Sequence, residues 1–137
     1  MDVADALEFA KARQRAVLAT NRKSGRPQLS NVSFYVEGNG AISVSALASR
    51  AKTHNLKRDP RASLHVTDEG YDLWVTVECD VDVSASAQED PRIIDDLVAF
   101  FGRLGRDGVT TDAFRETLID ENRLMLALRP RHAYGNL

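Results

Sequence analysis

The sequence predicts an α+β domain built on an antiparallel sheet that closes into a small barrel. Three observations carry this. Turn-forming residues separate most of the apolar and β-branched runs, as hairpins require. Hairpin-linked strands dominate and the helical segments sit between them, which argues for an antiparallel sheet. The chain has 137 residues, 43% of them hydrophobic and 28% charged, which suits one domain over residues 1–137 with a sizeable core.

The elements follow in order. Asp2 is an N-cap for a first helix over about 3–13, with Val3, Leu7 and Ala10 on one face. Ala16 to Thr20 is a β-branched run and reads as a strand, turned by Lys23-Ser24-Gly25-Arg26. Pro27 to Glu37 reads as one strand, with proline at its start, where a missing N–H does least harm. Gly38-Asn39-Gly40 is a hairpin signal, and Ala41 to Ala46 returns with Ile42 and Val44 on one face and Ser43 and Ser45 on the other. A short helix over 49–59 takes Ser49 as cap and Pro60 as stop. Arg61 to Thr67 and Leu73 to Val83 are strands joined by Asp68-Glu69-Gly70. Helices follow over about 91–101, opened by Pro91, and over 112–120, with Arg123 to Leu128 as the last strand.

Composition narrows the function. No apolar run is long enough for a transmembrane helix, and the acidic N-terminal stretch is unlike a secretory signal. A lone cysteine, Cys79, leaves no internal disulfide, and a cytoplasmic protein is expected. The net charge of −2 hides an asymmetry: residues 1–10 carry −3, residues 11–61 carry +9 and residues 62–137 carry −8. The basic region calls for the chain's own acidic half, a phosphate-bearing ligand or nucleic acid. Its only aromatics are Phe34 and Tyr35, too few for a base-stacking platform, so no nucleic-acid partner is expected.

Two stretches carry chemistry. Gln28 and Ser30 fall on one face of their strand, Leu29 and Asn31 on the other, either as a polar ligand surface or as a solvated edge. Residues 50–61 hold Arg50, Lys52, Lys57, Arg58 and Arg61 against Asp59 alone, either as a phosphate site at a helix start or as a solvated basic face. His54, His65 and His132 lack metal-ligand spacing, and no metal site is expected. Cys79 lies between Glu78 and Asp80 and reads as a buried small residue. No nucleophile elbow, P-loop or dinucleotide fingerprint occurs.

The run GRPQLSNVSFY, the block VSALASRAKTHNLKRDPRASL and the closing RHAYG resemble the deazaflavin-dependent branch of the pyridoxamine-5′-phosphate-oxidase-like, FMN-binding split-barrel family. The likeness runs from about Ala16 to Gly135, and its specific part is RAKT-x-NL-x-RDPR. It implies an antiparallel split β-barrel that pairs as a homodimer, with coenzyme F420 bound at the interface. Carried over by motif, Arg50 and Lys52 would hold the phosphate, with Thr53 and Asn55 nearby. Gln28, Ser30, Asn31 and Ser45 would line the deazaflavin, and Lys57 and Arg61 would meet its tail. Tyr71, Leu73 and Trp74 would face the neighbouring subunit's site. For a proton donor, His132, Tyr134 and water stay open. Relatives often carry glycine after the glutamate of the fifth strand, where this chain has Cys79.

The activity implied is hydride transfer from reduced F420 to a small unsaturated or quinone-like molecule. An FMN-dependent oxidase or reductase of the same fold, and a non-catalytic deazaflavin carrier, are the alternatives.

Overall fold

The computed structural model describes residues 1–137. In chain order the elements are α1 (Val3–Lys11), β1 (Arg15–Asn21), β2 (Pro27–Ser33), β3 (Tyr35–Val36), β4 (Ile42–Leu47), α2 (Ala51–Arg58), β5 (Arg61–Thr67), β6 (Trp74–Val83), α3 (Ile93–Arg103), α4 (Asp112–Asp120) and β7 (Arg123–Asn136). The strands form one antiparallel sheet in the order β2-β1-β5-β6-β7-β4-β3. It curls into a half-barrel, so the fold is the α+β split barrel expected.

The curl is set at Phe34. The stretch expected as one strand, Pro27 to Glu37, is two: β2 pairs with β1, and β3 pairs with β4 at the opposite end of the strand order. Phe34 is fully buried at the break and its N–H donates to Gln14 O at 2.9 Å. Consecutive residues thus join the two edges of the sheet, and the buried ring fills the corner. Hydrophobic alternation cannot report such a change of partner, because the apolar positions continue through it.

A second difference lies in the last strand. It was expected to end at Leu128, ahead of Pro130, yet β7 continues to Asn136. Cys79 pairs with Pro130 and Glu78 with His132, so the β6–β7 register shifts there and Arg131 is the extra residue of a bulge. A bulge is where a strand tolerates a residue with no N–H to give.

The helices shift by a residue or two. α1 stops at Lys11, and beyond it Arg13 lies 3.6 Å over the Phe9 ring and donates to Phe9 O at 2.6 Å. α2 takes Arg50, not Ser49, as its N-cap residue, and no side chain caps it. α3 begins at Ile93, with Pro91 in the turn before it. α4 spans the expected residues, capped by Thr111 Oγ1, which accepts from Phe114 N at 3.2 Å.

Two apolar clusters hold the molecule. The larger fills the half-barrel under α1 and includes Leu18, Phe34, Ile42, Leu64, Val77 and Leu126. The smaller joins α3 to α4 through Leu97, Phe100, Phe101, Phe114 and Leu118. Met125 and Tyr35 pack against this second cluster, so the helix pair sits on the outer side of β4 and β7. No helix is long and apolar enough to cross a membrane.

Candidate functional site

A cavity of about 550 Å³ opens where the β2 edge, β4, the start of α2 and helix α3 meet. Its walls include Gln28, Ser30 and Asn31 from β2, Ser45 from β4, Arg50 and Lys52 at the start of α2, Phe100 and Phe101 from α3, and Arg123 at the head of β7. The size suits a small-molecule site, and both polar and aromatic groups are present.

The β2 contribution depends on its place at the sheet edge. Gln28 and Ser30 stand opposite Thr20 and Leu18 on β1, whereas Asn31 stands opposite Val17, on the other face. An interior strand could offer a cavity only one of these sets. A free edge is approached from the side, so Gln28, Ser30 and Asn31 all reach it.

The cationic end is built from two directions. Arg50 and Lys52 arrive at the uncapped start of α2, and Arg123 arrives from β7 in register with Leu47. Neither Arg50 nor Lys52 makes an ion pair. Burial pushes the Lys52 ammonium below the usual lysine range, and the charges of Arg50 and then Arg123 lower it further. Like charges held together at partial burial are a cost to the free protein, and an anion between them removes it.

The other expected residues divide clearly. Thr53 is fully buried and its Oγ1 donates to Leu47 O at 2.8 Å, which ties α2 to β4. Asn55 is buried too, with Nδ2 donating to Thr20 Oγ1 at 3.1 Å and Oδ1 accepting from Arg58 at 3.2 Å. Both side chains are engaged in holding α2 on the barrel and neither lines the cavity. Lys57 is exposed in the last turn of α2 and does not line it either. Arg61 donates to Asp59 through Nε and Nη2, each at 2.9 Å. Those bonds, with a further one from Asn21, hold the Asp59 carboxyl well below the usual carboxylate range.

Tyr71, Leu73, Trp74, His132 and Tyr134 lie apart from the cavity. They are associated with the outer face of β5, β6 and β7 and the turn leading into β6. Trp74 packs against His65 (5.4 Å between ring centroids) and edge-on against Tyr134 (6.1 Å), and Tyr134 neighbours His132 (6.2 Å). His65 Nδ1 shares a 2.8 Å hydrogen bond with Thr76 Oγ1. Tyr71 has a left-handed backbone, with φ of 63°, in the turn before β6, and lines a separate depression with Arg15 and His65.

Cys79 faces the core. Burial, followed by the charges of Asp80 and Glu78, pushes its thiol up to about 12. A thiol that titrates there carries almost no thiolate near neutrality. Native protein at pH 8 should resist iodoacetamide and react stoichiometrically once unfolded in guanidinium, as intact mass would report. Rapid labelling of the native chain would mean that Cys79 is not held in the core.

Sequence reading missed Arg123, Phe100 and Phe101. Arg123 opens an ordinary-looking strand, and only the β4–β7 register, which sets it opposite Leu47, brings it to the cavity. The two phenylalanines belong to an amphipathic helix whose apolar face signals burial in general, with no sign that part of it borders a cavity.

The fold has close counterparts among solved structures. A conserved hypothetical protein from Mycobacterium tuberculosis superposes with a TM-score of 0.74 at 24% identity, over 98% of this chain and 84% of that one. An F420 reductase gives 0.71 at 22% identity, over 93% and 94%. A putative pyridoxamine 5'-phosphate oxidase from Listeria innocua gives 0.70 at 12% identity, over 97% and 96%. At such identities the likeness is one of fold. The family model for pyridoxamine 5'-phosphate oxidase matches residues 3–135, nearly the whole chain, and every residue that lines the cavity lies inside that span. The chain belongs to the pyridoxamine 5'-phosphate oxidase family.

Proposed function

We propose that this chain binds the deazaflavin coenzyme F420 in the β2–β4–α2 cavity and serves hydride transfer from its reduced form to a small unsaturated or quinone-like acceptor. The observation that carries the reading is the pair of unpaired cations, Arg50 and Lys52, at one end of a cavity whose walls are otherwise uncharged, apart from Arg123. That donor set fits a phosphate joined to a flat polar ring. Arg50 and Lys52 hold the phosphate. Gln28, Ser30, Asn31 and Ser45 supply amide and hydroxyl groups to the ring's polar edge, and Phe100 and Phe101 supply apolar wall. The cofactor, when bound, supplies the hydride, so the residues' task is binding and orientation, and no catalytic triad is needed. The likeness in fold to an F420 reductase supports the choice of deazaflavin.

The test supplies reduced F420 or reduced FMN, with and without an enone or quinone panel, and follows absorbance and oxygen uptake together. The expected result is tight F420 binding and acceptor-dependent oxidation with little oxygen uptake. Oxygen consumption with FMN and no acceptor-dependent oxidation of reduced F420 would transfer the assignment to a flavin enzyme. Binding of F420 without turnover across the panel would leave a carrier.

We propose further that the chain pairs as a homodimer. Leu29, Tyr71, Leu73 and Tyr134 are 62%, 78%, 41% and 45% exposed, and Trp74 adds a half-buried indole to the same side of the molecule. Val75, Val77, Cys79 and Val81 of β6 already face the core, so these outward groups gain cover only from another molecule. Sedimentation at micromolar concentration should give about twice the 15.1 kDa chain mass. A 15.1 kDa species under those conditions would remove the dimer from the reading.

A further inference from the structure

Arg123 sits in the cavity wall, yet its setting differs from that of Arg50 and Lys52. Its Nε donates to a Glu121 carboxylate oxygen in an ion pair. Its Nη1 lies 3.5 Å from Ser45 Oγ, a weak contact. Its guanidinium carbon is 5.5 Å from the centre of the Phe101 ring. A guanidinium carries five N–H donors, so most of this one's remain without a protein acceptor.

The backbone that carries this side chain is anchored on both sides of the turn. Asn122, between Glu121 and Arg123, adopts a left-handed conformation with φ of 50°. Its carbonyl accepts from Ala48 N at 3.0 Å and its Oδ1 accepts from Gln88 N at 3.0 Å. The first of these bonds ties the start of β7 to the segment that leads into Arg50. Arg123 is therefore fixed relative to the other two cations by main-chain bonds.

We infer that Arg123 is a third ligand for the anion held at this site and that Glu121 restrains it, so that the Glu121–Arg123 pair sets how tightly the cavity takes a phosphate group. This rests on the phosphate reading of the cavity. Glu121 offsets part of one positive charge, which limits repulsion among three cations in the free protein. The same carboxylate competes with an incoming anion for Arg123 donors, and so weakens binding. The charged groups around Lys52 are Arg50 beside it and Arg123 from β7, with Glu121 behind Arg123; β2, β4 and α3 present only uncharged side chains to the cavity.

The experiment is a titration of the full-length chain with F420, and with FMN as a second phosphate-bearing probe, from pH 6 to pH 10.5 and at two salt concentrations. Wild type is compared with Lys52→Ala, Glu121→Gln, Arg123→Met and Arg123→Lys. Glu121→Gln should tighten binding about fivefold and steepen its loss with salt, a gain that damaged folding cannot imitate. Arg123→Met should weaken binding about tenfold. It should also carry the alkaline fall in affinity to higher pH, because Lys52 is freed from one neighbouring charge. Arg123→Lys keeps the positive charge near neutral pH and should bind more tightly there than Arg123→Met. No tightening in Glu121→Gln, or an unmoved alkaline fall in Arg123→Met, overturns the inference while a weakened Lys52→Ala preserves the phosphate site. Unchanged affinity in Lys52→Ala, or no uptake of either probe by wild type, overturns both.

Discussion

Gly135→Ala should lower the melting temperature by about 10 °C, equivalent to about 3 kcal/mol for a chain of this size. Gly135 pairs with Val75 across the β6–β7 ladder. A Cβ placed there would press on the carbonyl oxygen of Trp74 and lie 2.9 Å from Val75 Cα. Both are main-chain atoms, so no rotamer change can yield. The strands must part by roughly 1 Å before an ordinary carbon–oxygen separation returns. That movement breaks pairing on either side, at Trp74–Asn136 and Thr76–Tyr134, and disturbs the edge-on Trp74–Tyr134 contact. Gly38→Ala is the matched control, because a Cβ there meets nothing within 4 Å; it should change stability by no more than about 0.5 kcal/mol. Equal melting temperatures for the two variants would show that the end of β7 is free to move and that Gly135 is not required by close approach.

The same residue shows what a sequence can and cannot convey. Gly135 closes the RHAYG run that supported the family resemblance, yet its physical role depends on a strand distant in the chain. Local chemistry was legible where it was local. Gly25 and Gly40, at φ of 85° and 87°, turn the hairpins that Lys23-Ser24-Gly25-Arg26 and Gly38-Asn39-Gly40 announced. Ile42 and Val44 point into the core while Ser43 and Ser45 do not, as strict alternation requires. The strand break at Phe34 and the continuation of β7 past Pro130 were not legible, because each is a choice of partner made by the whole sheet.

The cavity follows the same division. The charge excess of residues 11–61 marked the region that supplies Arg50 and Lys52. Charge alone could not sort that region further. Arg58 donates to Asn21 O at 2.6 Å and Arg61 is tied to Asp59, so these two cations serve the fold. Thr53 and Asn55 follow Lys52 in the motif but turn inward on α2. Arg123, supplied by the acidic part of the chain, completes the cationic end from outside that region.

Lys52→Ala should weaken F420 binding ten- to a hundredfold and leave the melting temperature of the free protein unchanged or slightly raised. The first effect is the loss of a charge-assisted bond to phosphate, about 1.5–3 kcal/mol. The second follows from the sign of the linkage. Burial and the charges of Arg50 and Arg123 place the folded ammonium below its ordinary value of 10.5. Between that lowered value and 10.5 the unfolded chain binds more protons than the folded one, so stability of the free protein rises with pH through this window. At neutral pH the charged Lys52 is held at a cost, and alanine removes that cost together with the ligand. A bound phosphate favours the charged form, so the folded value rises on binding and the complex takes up a proton when formed above the lowered value. Affinity for F420 should therefore begin to fall at a pH below 10.5 in wild type, and this limb should be absent in Lys52→Ala. A basic residue on a solvated helix face behaves otherwise: its removal leaves both affinity and its pH profile as they were. Fluorescence titration across that range decides between the two, and an unchanged dissociation constant takes Lys52 out of the site.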